Sequence, residues 1–573
     1  MVERRDHPLL ATVSDQLEKG LIGRREFIRF ATLLGITAGV AYARAGLAAP
    51  AMGADTLPFP AVEPGAKRGG ILRVGHTVTR MQDPANYNWL EMSNQTRPIC
   101  EFLTLVGPDN VVRPMLLESW QPSPDLRAWT LKVRKGVLWH NGEELIADHV
   151  AWNIRRWSDP ALGSANMGSS TFAALTEYSQ ELDSTGKPIR RQLRGGVEVL
   201  DRYTLRLNLA HPVLSVPEDF GEYGAIIVHP SFVPPFSHHP IGTGPYTLAE
   251  LRVGERCILK RITKMTDGRD FHYWGGEVFL DEIHFYNYTL ENQPAALASG
   301  AVDALFELTV EQLELARSIP GARILTVPAA QTLCCRMQVD VKPFDDIRVR
   351  RAVIKATDNA VIKRLVFGEH GAVGGNYHVA PVHPEYFPLP PVTRDIAGAR
   401  QLLKEAGYEH GIDLTITVGN TDGPWMQGVC EAIRDQVKDA GINLSVDVVP
   451  EPKYQEIWNK VPFGASSWGH RPLGTMVLSQ AFRTGASWNE SHFSSPEFDS
   501  ALSEAEATLD ATERKVKMQK VERILQDAAV MIQPLWRPVF SLAASNVHGY
   551  MAHPARQIHL TKVWLSPKTE GHA

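Results

Sequence analysis

A chain of 573 residues, 44% hydrophobic and 21% charged, is several domains long and has enough apolar side chains to bury large cores. This composition excludes a disordered, collagen-like or coiled-coil protein. The formal charge of −5 and the absence of any Lys/Arg-rich block indicate no nucleic-acid partner, and five scattered cysteines are too few for a disulfide scaffold.

Residues 1–49, the first element of the chain, have the pattern of an export leader. Arg24 and Arg25 stand before the uncharged stretch 30–43, and small residues follow through Ala51. A charged region, an apolar region and a small-residue processing site in this order are typical of a cleaved signal peptide. The apolar stretch is shorter than the roughly 20 residues that span a bilayer. We therefore expect cleavage near Ala48–Ala51; an uncleaved signal anchor is the alternative.

The adjacent arginines resemble the twin-arginine export signal. No other segment is predicted to span a membrane. The second long uncharged run, 223–249, contains five prolines, which a membrane-spanning helix would not tolerate. The apolar stretch of the leader also ends without the cysteine of a lipid-anchored protein. The sequence therefore predicts a soluble, mildly acidic periplasmic protein.

The first third of the mature chain is predicted to mix strands and helices. Residues 129–133 have the composition of a strand, and residues 140–143 that of a turn. Apolar residues recur at helical spacing over 146–157. Over 199–208, apolar and polar side chains alternate as in a half-buried strand.

The clearest local pattern lies farther along the chain, between residues 393 and 450. The elements expected there are a helix capped by Thr393 and closed by Gly407, a strand over 414–418, a helix closed by Gly441, and a strand over 442–448. Strand, helix and strand in succession predict a right-handed βαβ unit in an α/β lobe. Apolar periodicity from Glu497 to Ile532 then predicts one long helix.

The motifs of common enzyme classes are missing from the sequence. It has no G-x-S-x-G elbow, no H-E-x-x-H, no Walker loop, no C-x-x-C and no Rossmann G-x-G-x-x-G. The segment 242–245, Gly-Thr-Gly-Pro, is expected to be a turn, because its proline lacks the backbone N–H that a phosphate cradle uses. We therefore expect no cofactor and no enzymatic activity.

Several segments form a recognisable set in chain order. They are 115–120 (MLLESW) with 129–137 and 140–142, 242–246 (GTGPY), 273–276 (YWGG) with 280–283 (LDEI), 298–303 (ASGAVD), and 343–352 (PFDDIRVRRA). From Arg73 to Val563 the chain resembles the family 5 (peptide, nickel and opine) solute-binding proteins of ABC importers.

The resemblance implies an α/β fold, the two-lobed clamshell of periplasmic binding proteins (class II type, cluster C) with an extra subdomain in the first lobe. Lobe I then comprises residues 67–327 and 538–573, with the extra subdomain over about 98–225. Lobe II comprises residues 328–537. The chain is expected to cross the hinge twice, near 326–329 and 537–540.

The resemblance also implies a periplasmic receptor that binds a small polar solute, such as a peptide, an opine or a related compound, between its lobes. The receptor, expected to be a monomer, delivers the solute to inner-membrane ABC permease subunits. Three alternatives stay open: a twin-arginine-exported enzyme that depends on a cofactor, a nickel-chelate binder on the same fold, and a scaffold or folding role.

The segment 466–472 (SSWGHRP) departs from the pattern of the family. Dipeptide and oligopeptide binders have an aspartate three residues after the tryptophan, which receives the α-ammonium group of the ligand; here that position holds Arg471. A guanidinium accepts no hydrogen bond but suits a carboxylate or phosphate. The alternative is that Arg471 pairs with a protein carboxylate. The candidate ligand contacts are Trp468 and Arg471 first, then His470, Asn489, Tyr377 and His378.

Histidines raise the question of nickel, since imidazole suits such metals. The candidates are His238, His239, His378 and His383. None has a metal-ligand spacing on a regular element, so we expect surface histidines and no metal site. Cys334 and Cys335 are expected to be plain thiols, because successive strand residues point to opposite faces.

Overall fold

The computed structural model describes residues 7–47, 62, 64–184, 188–508 and 510–568. The chain divides into two units. Unit 1 comprises Met1–Leu308, Gln312–Leu325 and Phe540–Ala573, and unit 2 comprises Thr309–Glu311 and Thr326–Val539.

Three short helices form the N-terminal segment of unit 1: α1 (Pro8–Glu18), α2 (Arg24–Leu33) and α3 (Ala38–Arg44). The segment packs on the rest of unit 1, where the indole N–H of Trp120 donates to the carbonyl of Leu33 at 3.1 Å. The hydroxyl of Tyr42 donates to Asp109 at 2.7 Å. The expected processing site, Ala48–Ala51, lies outside the described residues. None of the described helices is both long and apolar enough to cross a membrane.

The next elements of unit 1 follow in chain order. They are β1 (Ile71–His76), α4 (Leu90–Thr96), β2 (Thr104–Val106), β3 (Val112–Pro114), β4 (Leu117–Pro122), β5 (Ala128–Val133), α5 (Ala147–Trp157), α6 (Ser170–Ala174), β6 (Thr176–Leu182), β7 (Pro188–Gln192), β8 (Val197–Asp201), β9 (Thr204–Asn208), α7 (Val216–Asp219), β10 (Tyr246–Arg252), β11 (Arg256–Arg261), β12 (Glu282–Asn287), α8 (Gln293–Ala298), β13 (Ala304–Leu308) and α9 (Leu313–Ser318). Strand β14 (Ala322–Met337) leads into unit 2.

Unit 2 continues with further helices and strands. They are α10 (Ile347–Lys355), α11 (Asn359–Phe367), β15 (Ala372–Val373), α12 (Ile396–Glu405), β16 (Ile412–Val418), α13 (Trp425–Val437), β17 (Ile442–Val448), α14 (Glu451–Ile457), β18 (Phe463–Trp468), α15 (Gly474–Ala481), α16 (Pro496–Glu506), α17 (Ala511–Ala528) and β19 (Met531–Ile532). Strand β20 (Leu535–Ala544) returns to unit 1, which ends with β21 (Val547–His548) and β22 (Trp564–Leu565).

The main sheet of unit 1 has the strand order β10-β11-β12-β1-β13-β20, and a separate small sheet has the order β4-β5-β9-β8. The predicted strand 129–133 and helix 146–157 are confirmed as β5 and α5. The predicted single strand over 199–208 is wrong, because β8 and β9 form an antiparallel hairpin there. The carboxylate of Asp201 accepts from the backbone N–H of Tyr203 and stabilises the turn.

The segment 242–245 of unit 1 lies against another stretch of backbone. A Cβ on Gly242 would lie 1.9 Å from the carbonyl oxygen of Ile99, and one on Gly244 would lie 2.4 Å from that of Pro98. Only glycine permits so close an approach. His140 fixes the same segment, since its Nε2 lies 2.8 Å from the carbonyl oxygen of Gly244. These glycines therefore have a packing role.

In unit 2 the strand order is β14-β18-β16-β17. Strands β16 and β17 are parallel, with α13 between them in the chain, so the predicted βαβ succession is confirmed. Gly407 and Gly441 follow the helices at φ +92° and +84°, where glycine is favoured. The expected cap Thr393 is wrong: Asp395 caps α12 by accepting from the N–H of Gly398 at 2.8 Å.

The predicted long helix over 497–532 is also wrong. The chain forms α16 and α17, which are separated because Asp510 caps the second helix and accepts from the N–H of Glu513 at 2.8 Å. Ala529, at φ +54°, ends α17 before β19 begins.

The five cysteines are buried and carry free thiols, which confirms the expectation for Cys334 and Cys335. The two adjacent side chains pack in different cores of unit 2. Cys335 packs with β16, α10 and α13, while Cys334 packs with α15, α16 and α17. Alternation along β14 thus keeps the two sulfurs apart.

Candidate functional site

Two loops of unit 2 follow neighbouring parallel strands. Residues 419–424 follow β16 and residues 469–473 follow β18, and the strands pair with Thr417 opposite Gly464 and Val418 opposite Ala465. In open α/β sheets, ligands bind outside the carboxyl ends of parallel strands. The two loops are therefore the place in unit 2 where a ligand site is expected.

Trp468 is the last residue of β18, and its side chain is 5% exposed. Its indole N–H donates to Oε1 of Glu490 at 2.7 Å. The other carboxylate oxygen of Glu490 accepts from Ser466 Oγ at 2.6 Å and from Arg336 Nε at 2.8 Å. Arg336 and Glu490 form an ion pair whose side chains are 1% and 4% exposed. A buried, hydrogen-bonded ion pair thus fixes the end of β18.

Arg471 lies three residues beyond the strand and is 6% exposed. Its Nε donates to Oε1 of Gln480 on α15 at 3.0 Å, and Nη1 donates to the carbonyl of His470 at 3.1 Å. The guanidinium carbon lies 6.0 Å from the centre of the Trp488 ring. These contacts hold the guanidinium in one position, which is the arrangement that a charge-assisted ligand contact needs.

Three histidines pack beside this loop. His470 Nδ1 accepts from the N–H of Ala330 at 2.9 Å, and Nε2 of His383 donates to the carbonyl of Arg471 at 3.0 Å. The ring of His378 lies 5.3 Å from that of Trp468, and its Nδ1 lies 3.7 Å from Cys334 Sγ. Burial, with smaller contributions from the charges of His383 and Arg471, lowers the pKa of His378 to about 3.

The expectation of surface histidines is therefore wrong for two of the four candidates. His378 is 1% exposed and His383 is 4% exposed, because both pack among the aromatic and histidine rings around β18. His238 and His239 are exposed, as expected. Among the described residues no group of three or more His, Cys, Asp and Glu side chains is arranged to hold a metal ion.

Tyr377 and Asn489 make contacts of a different kind. Tyr377 is 4% exposed, stacks on Tyr386 and donates to its hydroxyl at 3.3 Å. The amide of Asn489 donates to three backbone carbonyls, those of Phe482, Arg483 and Phe493. The structure therefore brings Trp468, His470, Arg471 and His378 together. Tyr377 packs in the same buried cluster as Trp468 with its hydroxyl on Tyr386, and Asn489 binds the backbone of its own loop.

Sequence reasoning missed a second charged pair, at the loop after β16. Asp422 and Arg537 are 6% and 3% exposed, and Arg537 Nη2 lies 3.3 Å from Asp422 Oδ2. The hydroxyl of Ser467 donates to the same oxygen, while Gln331 Oε1 accepts from Arg537 at 3.0 Å. The position of Asp422, just beyond a predicted strand, was the only sequence signal that pointed to it.

The family model for bacterial extracellular solute-binding proteins, family 5 (middle), matches residues 111–490 of the chain. The periplasmic oligopeptide-binding protein OppA of Haemophilus influenzae is 23% identical over 517 residues, which are 84% of this chain and 91% of OppA. These matches agree with the resemblance expected from the sequence.

Two solved structures show the fold. The periplasmic binding protein DppA of Helicobacter pylori, in complex with the peptide STSA, has a TM-score of 0.73 at 20% identity over 87% of this chain and 98% of DppA. The binding protein AgaA of A. tumefacien R10, in complex with agropinic acid, has a TM-score of 0.73 at 19% identity over 88% of this chain and all of AgaA. The expected fold class, the two-lobed α/β fold of periplasmic binding proteins, is confirmed.

Proposed function

The chain belongs to the bacterial extracellular solute-binding proteins of family 5, and we propose that it binds one small polar solute in the periplasm and delivers it to the permease of an ABC importer. The family match carries this proposal, and we propose that the solute binds at the loops that follow the carboxyl ends of β16 and β18. The protein would saturate with solute and change none of its bonds.

We propose that the solute carries a carboxylate or phosphate group. The support is Arg471, whose guanidinium is held by Gln480. Dipeptide and oligopeptide binders of the family have an aspartate at this position. A planar guanidinium matches the paired oxygens of such groups. Opines, acidic sugar derivatives and acyl amino acids have this chemistry, and AgaA in complex with agropinic acid shares the fold.

Trp468 and Arg471 are our principal proposed ligand contacts. His470 and His378 flank them, whereas the contacts of Tyr377 and Asn489 favour supporting roles. We propose that the two lobes comprise residues 67–327 with 538–573, including an extra subdomain over about 98–225, and residues 328–537.

Native mass spectrometry of protein isolated from the periplasm tests the proposed function. We expect one retained small molecule per chain, and calorimetric titration of the emptied protein with it should saturate at one equivalent without turnover. Conversion of the molecule during the titration would favour the cofactor-dependent enzyme instead. A retained nickel chelate would favour the nickel binder, and no binding of any small molecule would favour the scaffold.

We propose that residues 1–49 are a twin-arginine leader that is removed on export. Arg24 and Arg25 are exposed at the start of α2, while Phe27, Ile28 and Phe30 of the same helix are buried. The arginine pair is thus accessible to an export receptor while the apolar side chains are covered.

Replacing Arg24 and Arg25 by lysine is expected to leave the precursor in the cytoplasm, because twin-arginine export depends on the arginine pair rather than on charge alone. Cell fractionation and intact mass measure this, and the mature form should begin between Ala49 and Met52. The control replaces Arg29 and Arg44 by lysine, which makes the same number of changes in the same segment. Export of the Arg24→Lys, Arg25→Lys precursor at the normal level would overturn the twin-arginine assignment.

A further inference from the structure

Arg97 is a buried arginine of unit 1 whose donors are incompletely paired. Its side chain is 6% exposed, and the guanidinium carbon lies 4.1 Å from the centre of the Phe102 ring. In the described part of the chain, Nε and Nη2 of Arg97 are both shielded from solvent and meet no hydrogen-bond acceptor. Buried charges in proteins are normally paired and hydrogen-bonded, so these two donor atoms lack the acceptors that a buried guanidinium normally has.

The two unpaired atoms form one edge of the guanidinium. Nε–H and Nη2–H point in parallel on that edge and match the two oxygens of a carboxylate. The same two atoms of Arg73 hold Asp303 in this chain, at 2.9 and 2.7 Å. Arg97 therefore offers an unused donor fork of the kind that another arginine of unit 1 uses for a carboxylate.

His559 is a second residue of unit 1 with an unpaired atom, and it is close enough to Arg97 for the charge of Arg97 to act on it. Its Nε2 is shielded from solvent and has no hydrogen-bond partner in the described residues. Burial and the charge of Arg97 hold the pKa of His559 well below its usual range, so the imidazole is neutral at pH 7. The ring of the neighbouring His553 lies 5.2 Å from that of His559. His553 already has a hydrogen-bond partner, since its Nε2 donates to the carbonyl of Val106 at 2.9 Å.

Two other carboxylates of unit 1 have cations of their own. Asp109 accepts from both Nη atoms of Arg113, at 2.8 and 2.7 Å. Glu307 accepts from Arg556 at 2.8 Å. Glu222 is close enough to raise the pKa of Arg97, although burial is the larger effect and lowers that pKa to about 9. Among these carboxylates, Glu222 is thus the one that could compete with a bound carboxylate for Arg97.

We propose that Arg97 and His559 form a binding site for the carboxylate group of a small molecule in unit 1. One positive charge beside a neutral imidazole suits a monoanion better than a phosphate dianion, and the donor fork fits a planar carboxylate. The site concerns unit 1 alone and does not rest on the function proposed above.

Acetate is the probe for this site. The Tm of the full chain is measured at pH 7.5 over increasing concentrations of sodium acetate. Sodium chloride and sodium phosphate at matched ionic strength are the comparison salts. We expect a saturable rise in Tm with acetate beyond that with chloride, and an apparent Kd at least tenfold weaker in Arg97→Met. Arg317→Met, which changes an exposed arginine of unit 1, should respond as the parent does.

Two more variants keep the test decisive if Arg97→Met does not fold. His559→Gln should bind acetate several-fold more weakly, and Arg97→Lys should lose most of the response, because an ammonium lacks the planar fork. Equal responses to acetate and chloride in the parent, or an unchanged response in the Arg97 and His559 variants, would overturn the proposal. A response to phosphate but not acetate would overturn the carboxylate assignment. A response that appears only in Glu222→Gln would show that Glu222 occupies the site.

Discussion

Replacing Glu490 by alanine is expected to lower the free energy of unfolding by about 3–5 kcal/mol, the cost of breaking a buried ion pair by removing one partner. Arg336 is 1% exposed and would keep its charge in a core that has lost the matching carboxylate. Ser466 and Trp468 would each lose the oxygen to which they donate. The penalty is therefore a desolvated cation together with two unpaired donors.

Urea unfolding of the parent and the variant measures this loss. The matched control is Glu504→Ala, which removes an exposed carboxylate of α16 and should cost less than about 0.5 kcal/mol. Replacing both partners, as Arg336→Met with Glu490→Leu, should recover much of the loss, because a buried ion pair can be exchanged for apolar side chains of similar volume. A Glu490→Ala protein as stable as the parent would show that solvent reaches Arg336.

The Glu490 network also connects stability to the site. Trp468 ends β18, and Arg471 follows it after two residues, so the carboxylate that holds the indole also fixes where the loop begins. Pre-organised groups bind ligands more tightly, because less conformational freedom is lost on binding. Glu490→Ala should therefore weaken solute binding indirectly, by releasing the start of the loop that carries Arg471.

Local patterns predicted those parts of the fold whose signals are also local. The βαβ succession was predicted because β16 and β17 alternate apolar residues and Gly407 and Gly441 mark the helix ends. The hairpin of β8 and β9 was missed because its turn at 202–203 contains neither Gly nor Pro, and the Asp201 side chain stabilises it instead. The break between α16 and α17 was missed because apolar residues of both helices pack in one core, so the periodicity continues across the break.

The candidate site was predictable only where family pattern or strand order pointed to it. Trp468 and Arg471 lie in a recognisable segment, and the structure places both at the end of β18. The Asp422–Arg537 pair joins residues that are 115 positions apart, and the partner of Trp468, Glu490, comes from a separate loop. Such pairings depend on tertiary packing, which alternation and spacing do not encode.

Replacing Arg471 by alanine is expected to raise the Kd for the solute about ten- to a hundredfold. A charge-assisted contact of a held guanidinium is worth about 1.5–3 kcal/mol, and each 1.4 kcal/mol is a factor of ten. Arg471→Lys should recover only part of the affinity, since an ammonium does not reproduce the planar fork. Gln480→Leu removes the acceptor that orients Arg471 and should produce a smaller loss in the same direction.

Calorimetric titration with the molecule retained from the periplasm measures all four forms. The control is Arg434→Ala, which changes a solvent-accessible arginine of unit 2 and should leave the Kd unchanged. Thermal unfolding of each variant separates lost binding from lost structure, because a contact to solute lowers affinity while the Tm of the empty protein changes little. If Arg471→Ala binds as tightly as the parent, Arg471 serves the fold alone. If the retained molecule is an ordinary peptide held by its α-ammonium group, our interpretation of the segment 466–472 is wrong, because a guanidinium facing the solute would repel that group.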